Sequence, residues 1–410
     1  MIKKLIIICN IVFVTWSFNY ITFADDLADE ELFVENIGEI IETSASSDDE
    51  IKINSRIAVA YDRSTGKVIW GKEENKRTAM ASTTKIMTAI VTVENANLDD
   101  VVTISAKAAC TGGSRLGLKK DDKITLRDLL YGLMLRSGND AAIAIAEHVG
   151  GNVEEFANLM NRKAEELNLT DTHFVTPHGL DDPNHYTTAY ELAKIANYAL
   201  NNEIIRNIVG SKYYTITING YSKNLVNTNE LLGNLNGIYG VKTGFTNNAG
   251  RCLVTAVKRN NMDIITVVLQ ADTKKDRAKD SSQIIKYIFD NYEKVNIKEI
   301  VDKEFENWKN INQGRINVEK GKNRNIYLKR AELKDNFVVV KKEEIEDIKI
   351  TINAIFEFEA PIESNTVIGK LKVTVDDKIV DIIDIYIENK VDKKDTLDYF
   401  FECIKAYKIL

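Results

Sequence analysis

The chain has 410 residues, is 44% hydrophobic and carries a formal net charge of −7. That length buries a sizeable core and predicts two or three domains. The acidic balance, with no cluster of Lys and Arg interleaved with aromatics, argues against a nucleic-acid partner held by phosphate neutralisation.

Lys3 and Lys4 precede an almost unbroken apolar run from Leu5 to Trp16, and Thr22-Phe23-Ala24 leads into Asp25-Asp26. A basic start, an apolar middle and a small-residue end predict a secretory signal peptide over 1–24, hence an exported, extracytoplasmic protein. An uncleaved membrane anchor is the alternative, because Asn10, Ser17 and Asn19 soften the boundaries. Residues 25–51 are rich in Asp and Glu and hold no Lys or Arg up to Glu50, which reads as a solvated leader or linker.

A first folded domain is expected over 52–294. It opens with strand, turn and strand: Ile57 to Tyr61, then Asp62-Arg63-Ser64-Thr65-Gly66-Lys67, then Val68-Ile69-Trp70. Met80 to Val91 reads as a helix with Ser82 at its start and Lys85 one turn later, so hydroxyl and amine share a face, as a lysine-activated serine requires. Ile86, Met87, Ile90, Val91 and Val93 cover more than one stripe, which predicts a helix buried on most sides. Ser-x-x-Lys is a short pattern and recurs at Ser64/Lys67, where the turn setting gives it no chemistry.

Val101 to Ile104 reads as a strand. The glycine-rich Thr111 to Leu118 lacks the phosphate-loop pattern and is expected to be a mobile wall of a cleft. Thr125 to Asp128 forms a capping box for a helix that breaks at Arg136-Ser137-Gly138-Asn139-Asp140 and resumes until Gly150-Gly151. Ser-x-Asn is weak alone, as Ser17-Phe18-Asn19 shows, and an ordinary helix connection is its plain reading. Helices follow over Val153 to Leu167 and Thr188 to Leu200, separated by the breakers of Phe174 to Asp181. Gly240 to Phe245, Arg251 to Val257 and Ile264 to Leu269 read as an antiparallel meander with Lys242-Thr243-Gly244 on its first strand, covered by a helix from Asp276 to Tyr292.

From 295 to 390, short β-rich runs predict a small all-β domain: Asn325 to Leu328, Phe337 to Val340, Ile348 to Ile352, Leu371 to Val375 and Ile379 to Ile383. Over 391–410, Leu397, Phe400, Phe401 and Ile404 recur at helical spacing opposite Asp398, Glu402 and Lys405. That helix either contacts a membrane surface or docks on the β domain. Cys9 falls in the signal segment, and Cys110, Cys252 and Cys403 show no motif spacing. His148, His173, His178 and His185 form no His-Glu-x-x-His. Neither a metal nor another cofactor is expected.

Ser-x-x-Lys, Ser-x-Asn and Lys-Thr-Gly thus occur in that order at a helix start, an interhelical loop and a strand, the motif set of penicillin-binding proteins and class A β-lactamases. From about Ile57 to Tyr292, through Tyr61-Asp62, Ala81 to Thr88, Ser137 to Asp140, Pro177 to Asp181 and Gly240 to Gly244, the chain resembles the serine-type D-alanyl-D-alanine carboxypeptidases, the low-molecular-weight penicillin-binding proteins of the peptidase S11 family. Ala360-Pro361-Ile362 through Leu371 is similar to the β-rich domain often appended to them. The resemblance implies an α+β fold: an antiparallel sheet flanked by helices, a helical subdomain and a C-terminal all-β domain. It implies removal of the terminal D-Ala from peptidoglycan pentapeptide stems at the cell wall or the outer face of the cytoplasmic membrane, with β-lactams as covalent inhibitors.

In that mechanism Ser82 is the nucleophile and Lys85, its pKa lowered by burial and by Lys242, the general base. Ser137, held by Asn139, relays the proton to the leaving amine. Lys242, Thr243 and Arg277 face the substrate carboxylate, and the N–H groups of Ser82 and Phe245, beyond Gly244, form the oxyanion hole. Thr228 stands where some members carry another arginine. An endopeptidase acting on cross-linked peptidoglycan would use the same residues. A class A β-lactamase would need a deacylating Glu, for which Glu165-Glu166-Leu167-Asn168 is one residue short. A non-catalytic wall-binding protein would have no use for the intact motifs.

Overall fold

Strand β1 (Ile57–Asp62) pairs antiparallel with β2 (Lys67–Lys72) in the computed structural model, which describes residues 51–323 and 325–407. The signal peptide expected over 1–24 and all but the last residue of the 25–51 leader lie outside the described residues. Along β1 the period of two sends Ile57, Val59 and Tyr61 into one core and Ala58 and Ala60 into another, so the strand is buried on both faces. At the β1–β2 turn the Ser64 and Thr65 hydroxyls donate to the Asp62 carboxylate at 2.7 and 2.6 Å. The second Ser-x-x-Lys is turn chemistry, as read.

A 3₁₀ turn (Ala81–Thr84) runs into α1 (Lys85–Asn95), whose Ile86, Met87, Ile90 and Val91 are buried. Around α1 stands a helical subdomain: β3 (Val101–Thr103), α2 (Ala106–Ala109), β4 (Lys123–Thr125), α3 (Leu126–Leu135), α4 (Asn139–Gly150) and α5 (Val153–Glu166). Thr125 caps α3 by accepting the Asp128 N–H at 3.1 Å, and Gly151, at φ 77°, ends α4. Next come α6 (Ala189–Asn201) and α7 (Glu203–Gly210), then a hairpin of β5 (Tyr213–Ile218) and β6 (Tyr221–Val226). The sequence expectation contains neither α7 nor this hairpin. Asn219-Gly220, both at positive φ, is the turn signal that marks the hairpin.

The meander follows as β7 (Ile238–Thr246), β8 (Gly250–Arg259) and β9 (Met262–Ala271), the last two joined at Asn260-Asn261 with φ of 46° and 62°. The sheet order is β2-β1-β9-β8-β7, antiparallel throughout, with β7 at an edge. One face meets the helical subdomain. On the other, α8 (Lys274–Asn291), capped by Thr273, packs Ala278, Ile284, Ile285 and Ile288 against Leu253, Val257, Ile264 and Val268.

Strand β10 (Tyr292–Asn296) continues from α8 and leads to α9 (Ile297–Asn312), a helix absent from the sequence expectation. The rest is β11 (Asn317–Glu319), β12 (Leu328–Arg330), β13 (Phe337–Lys341), β14 (Lys349–Ala354), β15 (Glu357–Glu359), β16 (Thr366–Val375), β17 (Lys378–Ile387) and α10 (Thr396–Tyr407). A four-stranded sheet in the order β12-β17-β16-β14 encloses its own core. Tyr292 packs on the first domain's core and Val295 on the second's, so the change of domain falls within β10, which pairs with β13. Among the described residues no helix is long and apolar enough to cross a membrane.

Candidate active site

The turn that carries Ser82 is tied by its own hydroxyls. Thr83 Oγ1 donates to the Met80 carbonyl at 2.5 Å and Thr84 Oγ1 to the Ala81 carbonyl at 2.8 Å. Thr84 Oγ1, its proton used, accepts from His185 Nε2 at 2.7 Å, while His185 Nδ1 accepts the Val175 N–H at 2.9 Å. These partners assign a neutral ring protonated at Nε2. Burial pushes His185 down to about 4. Burial first, then the nearness of Lys85 and His185, with which it would have to share positive charge, pushes His178 down to about 3.

Stability is therefore expected to fall as the pH drops below about 6.5, where the unfolded chain binds a proton at each histidine that the folded chain still excludes. Each contributes a slope of up to about 1.4 kcal/mol per pH unit. Denaturant titrations from about pH 7 down to about pH 5, above the carboxylate range, check this, and a flat profile refutes it.

Lys85 Nζ lies 2.8 Å from Ser82 Oγ, 2.8 Å from Asn139 Oδ1 and 2.9 Å from the His178 carbonyl. The side chain is fully buried. Burial first, and the charge of Lys242 second, hold the ammonium well below the usual lysine range, with Asp140 pulling the other way. A neutral amine has two N–H groups and one lone pair. Asn139 donates from Nδ2 to the Gly112 carbonyl at 2.8 Å, which turns Oδ1 towards Lys85. Both N–H groups then go to obligate acceptors, Asn139 Oδ1 and the His178 carbonyl. Lys85 Nζ donates to Ser82 Oγ when it is an ammonium; as a neutral amine, with both N–H groups so placed, its lone pair would face that hydroxyl.

Ser137 sits between α3 and α4 at φ 57° and is buried. Asn139 holds Lys85 and Gly112 with its side-chain amide, so the backbone fixes Ser137: the Gly138 N–H donates to Gly132 and the Asn139 N–H to Ser114. The glycine-rich wall differs from the mobile loop expected. Asp140, fully buried, accepts the N–H groups of Leu116, Gly117 and Leu118 at 2.8, 2.7 and 3.0 Å, and Lys223 of β6 reaches the Leu116 carbonyl at 2.6 Å.

On β7, Lys242 is buried and donates to the Thr243 carbonyl at 3.0 Å, and Thr243 Oγ1 lies 2.8 Å from Thr228 Oγ1. A Cβ on Gly244 would stand 3.1 Å from the Ser82 nitrogen and 3.2 Å from that of Thr83. The missing side chain lets β7 approach the turn, with the Phe245 N–H next along the strand. Arg251 stacks on the Phe245 ring at 3.6 Å. Arg277, on α8, is buried and donates from Nε and Nη2 to the Glu230 carboxylate, both at 3.0 Å. The sequence expectation has Arg277 facing the substrate carboxylate and does not name Glu230.

Glu230→Ala is expected to destabilise the fold by about 3–5 kcal/mol, because it removes the carboxylate that pairs with a buried guanidinium. Adding Arg277→Met to it should recover part of that loss, a coupling on the order of 1–3 kcal/mol. Denaturant midpoints of the four species measure it, and strict additivity would refute the coupling.

The structure thus joins Ser82, Lys85 and Asn139 by direct bonds and brings Gly244 against the Ser82 turn. Three contributors were missed: the His178 carbonyl, Asp140 and Glu230. Asp140 stands inside the quoted Ser-Gly-Asn-Asp segment, so the signal for it was local. Glu165 and Glu166 lie on the exposed end of α5, where Glu166 pairs with Lys163, outside this cluster.

Residues 42–273 match the family described as D-alanyl-D-alanine carboxypeptidase, and residues 305–393 match the domain described as penicillin-binding protein 5, C-terminal domain. The D-alanyl-D-alanine carboxypeptidase DacF of Bacillus subtilis (strain 168) is 34% identical over 337 residues, which span 81% of this chain and 84% of the relative. DacD of Escherichia coli (strain K12), a protein of the same description, is 31% identical over 366 residues, 85% of this chain and 90% of its own. Among solved structures, the D-alanyl-D-alanine carboxypeptidase DacD from Francisella tularensis aligns with a TM-score of 0.70 at 26% identity, covering 86% of this chain and 98% of that one. Penicillin binding protein 5 from Haemophilus influenzae aligns at 0.67 and 28% identity, covering 85% and 100%. With the two matched domains and the sheet-and-helix fold in agreement, the chain belongs to the D-alanyl-D-alanine carboxypeptidases of the peptidase S11 family, serine hydrolases of the penicillin-binding, cell-wall class.

Proposed function

We propose that Ser82 is the acylated residue and that Lys85 is its base. The observation that carries this is the bonding of Lys85 Nζ, whose two N–H groups have acceptors and whose third neighbour is the Ser82 hydroxyl. Lys85 takes the Ser82 proton as Oγ attacks the carbonyl of the penultimate D-Ala. The oxyanion lies between the N–H groups of Ser82 and Phe245, which the bare Gly244 lets approach each other. Ser137 relays to the leaving D-Ala nitrogen the proton that Lys85 took, giving up its own and regaining one from Lys85 as the C–N bond breaks; water then hydrolyses the ester and returns the proton to Ser82.

The substrate carboxylate faces Lys242 and Thr243, with Thr228 behind Thr243. Arg277 supports this side with its guanidinium plane set by Glu230. Export through residues 1–24 delivers the domain of 52–294 to its substrate outside the cytoplasm. The C-terminal helix then rests on the membrane surface, a reading supported by the exposure of Leu397, Tyr399, Phe400, Phe401 and Ile404, which α10 does not turn into the β domain.

Mass spectrometry after penicillin treatment and trypsin digestion tests the chemistry. The adduct is expected on the peptide Thr78 to Lys85, whose one serine is Ser82. No adduct, or an adduct elsewhere, would overturn the assignment. Product analysis on cross-linked muropeptides reads carboxypeptidase against endopeptidase action, with free D-Ala the expected product.

A further inference from the structure

We infer that the first domain carries an anion site, separate from the Ser82 cluster, that takes the dianionic head of a phosphate monoester. The site uses none of the residues assigned to acylation and stands independently of that reading.

A cavity of about 620 Å³ opens where five elements converge: Arg63 of the β1–β2 turn, Arg206 of α7, Tyr239 of β7, Lys258 of β8 and Asp263 of β9 line it. Three cations face one carboxylate there, so the recess carries a formal charge of +2 on a chain whose total is −7. The carbonyl end of α7, at Gly210, reaches the same recess and offsets at most about half a charge. The balance stays positive. Along β7, Tyr239 precedes Lys242 by three residues, roughly 10 Å of strand, so an occupant of the recess leaves the acylation site open.

Hydrogen bonds divide these charges into a committed floor and an uncommitted rim. Arg63 donates from Nη1 to Asp263 Oδ2 at 2.9 Å and to the Tyr239 hydroxyl at 2.8 Å, and from Nε and Nη2 to the side-chain carbonyls of Asn197 and Asn201 at 2.9 and 3.0 Å. Tyr239 in turn donates to Asp263 Oδ1 at 2.5 Å. Arg63 and Asp263 therefore neutralise each other and hold the floor rigid. Arg206 spends one N–H on the Leu200 carbonyl at 2.8 Å and is otherwise exposed, while the exposed Lys258 ammonium has no partner among the described residues. Asn207, next to Arg206, adds an exposed carboxamide to the lining. The rim thus offers two full charges and an amide from separate elements. A carboxylate presents two oxygens in one plane and a single charge, whereas a phosphate monoester presents three outward oxygens and close to two charges at neutral pH. The rim matches the second, through charge-assisted hydrogen bonds. Such a monoester is either a small solute or the head of phosphatidic acid in a membrane.

Calorimetry at fixed ionic strength, with glycerol 1-phosphate, dimethyl phosphate and acetate as probes, tests the site. One molecule of glycerol 1-phosphate is expected to bind per chain, more tightly than either monoanion, and about tenfold more weakly in Arg206→Ala and in Lys258→Ala. Lys258 ties nothing in the fold, so its loss reads the ligand alone, and melting temperatures equal to the parent's certify both variants. Flotation with phosphatidylcholine vesicles, with and without phosphatidic acid, then identifies the source. Extra vesicle binding that Lys258→Ala abolishes places the monoester on a lipid, and a vesicle fraction that phosphatidic acid leaves unchanged places it on a solute. No saturable heat with glycerol 1-phosphate, equal affinity for acetate or dimethyl phosphate, or an affinity that survives both substitutions overturns the site.

Discussion

Lys85→Ala is expected to slow acylation by penicillin and by D-Ala-D-Ala peptides by about 10⁴- to 10⁶-fold, the scale on which removal of a nucleophile or its base acts. The variant keeps Ser82, the N–H groups of the turn and the carboxylate-facing residues, so binding survives while proton removal does not. Without an internal base the remaining rate depends on hydroxide and should rise tenfold per pH unit. Stopped-flow acylation across a pH series gives both numbers. A variant within tenfold of the parent, or a residual rate flat with pH, would show that another group takes the Ser82 proton. The two acceptors that Lys85 served, Asn139 Oδ1 and the His178 carbonyl, lose their donor, at about 1–3 kcal/mol each unless water enters.

Gly179→Ala should be strongly damaging, with the tightest backbone approach among the described glycines. Its Cβ would stand 1.9 Å from the Ala81 carbonyl oxygen and 2.5 Å from Thr84 Oγ1, and its φ of 85° disfavours any side chain. The obstructing atom is backbone of the Ser82 turn, so the turn itself must move. A loss of about 3–5 kcal/mol is expected from the combined clash and dihedral strain. Displacing the nucleophile by about 1 Å should cost a further 10²-fold in acylation of whatever folds. Gly220→Ala is the control: it has a comparable φ of 83° with nothing within 4 Å of the added methyl, and should lose only about 1–2 kcal/mol. Thermal melts and penicillin labelling of the pair separate clash from strain, and equal losses would remove the clash from the explanation.

Features written in consecutive residues were legible before the structure. The strand-turn-strand of β1 and β2, the buried helix after Ser82, the Thr125 cap and the three ordered motifs are all local, and each lies where the sequence places it. The Asn219-Gly220 hairpin is equally local, but its strands carry exposed Tyr213 and Tyr221 in place of a clean apolar alternation. What sequence could not yield depends on long-range contact. Glu230 becomes intelligible only beside Arg277, 47 positions away. The His178 carbonyl is a backbone atom, invisible to any residue pattern, yet it accepts from the Lys85 amine at 2.9 Å and helps to aim it.

Asp140 gathers three consecutive N–H groups of the wall beside Asn139, and Lys223 holds the same wall from the hairpin. Its ordering entropy is therefore lost when the chain folds, before any antibiotic or peptide arrives. Capture of a ligand then needs no loop closure as a separate step. Progress curves for penicillin capture should be single exponentials without a lag, with an observed rate that rises hyperbolically with inhibitor concentration. An Asp140→Asn variant, with the three N–H groups sharing one amide oxygen, should acquire the slow phase that the parent lacks.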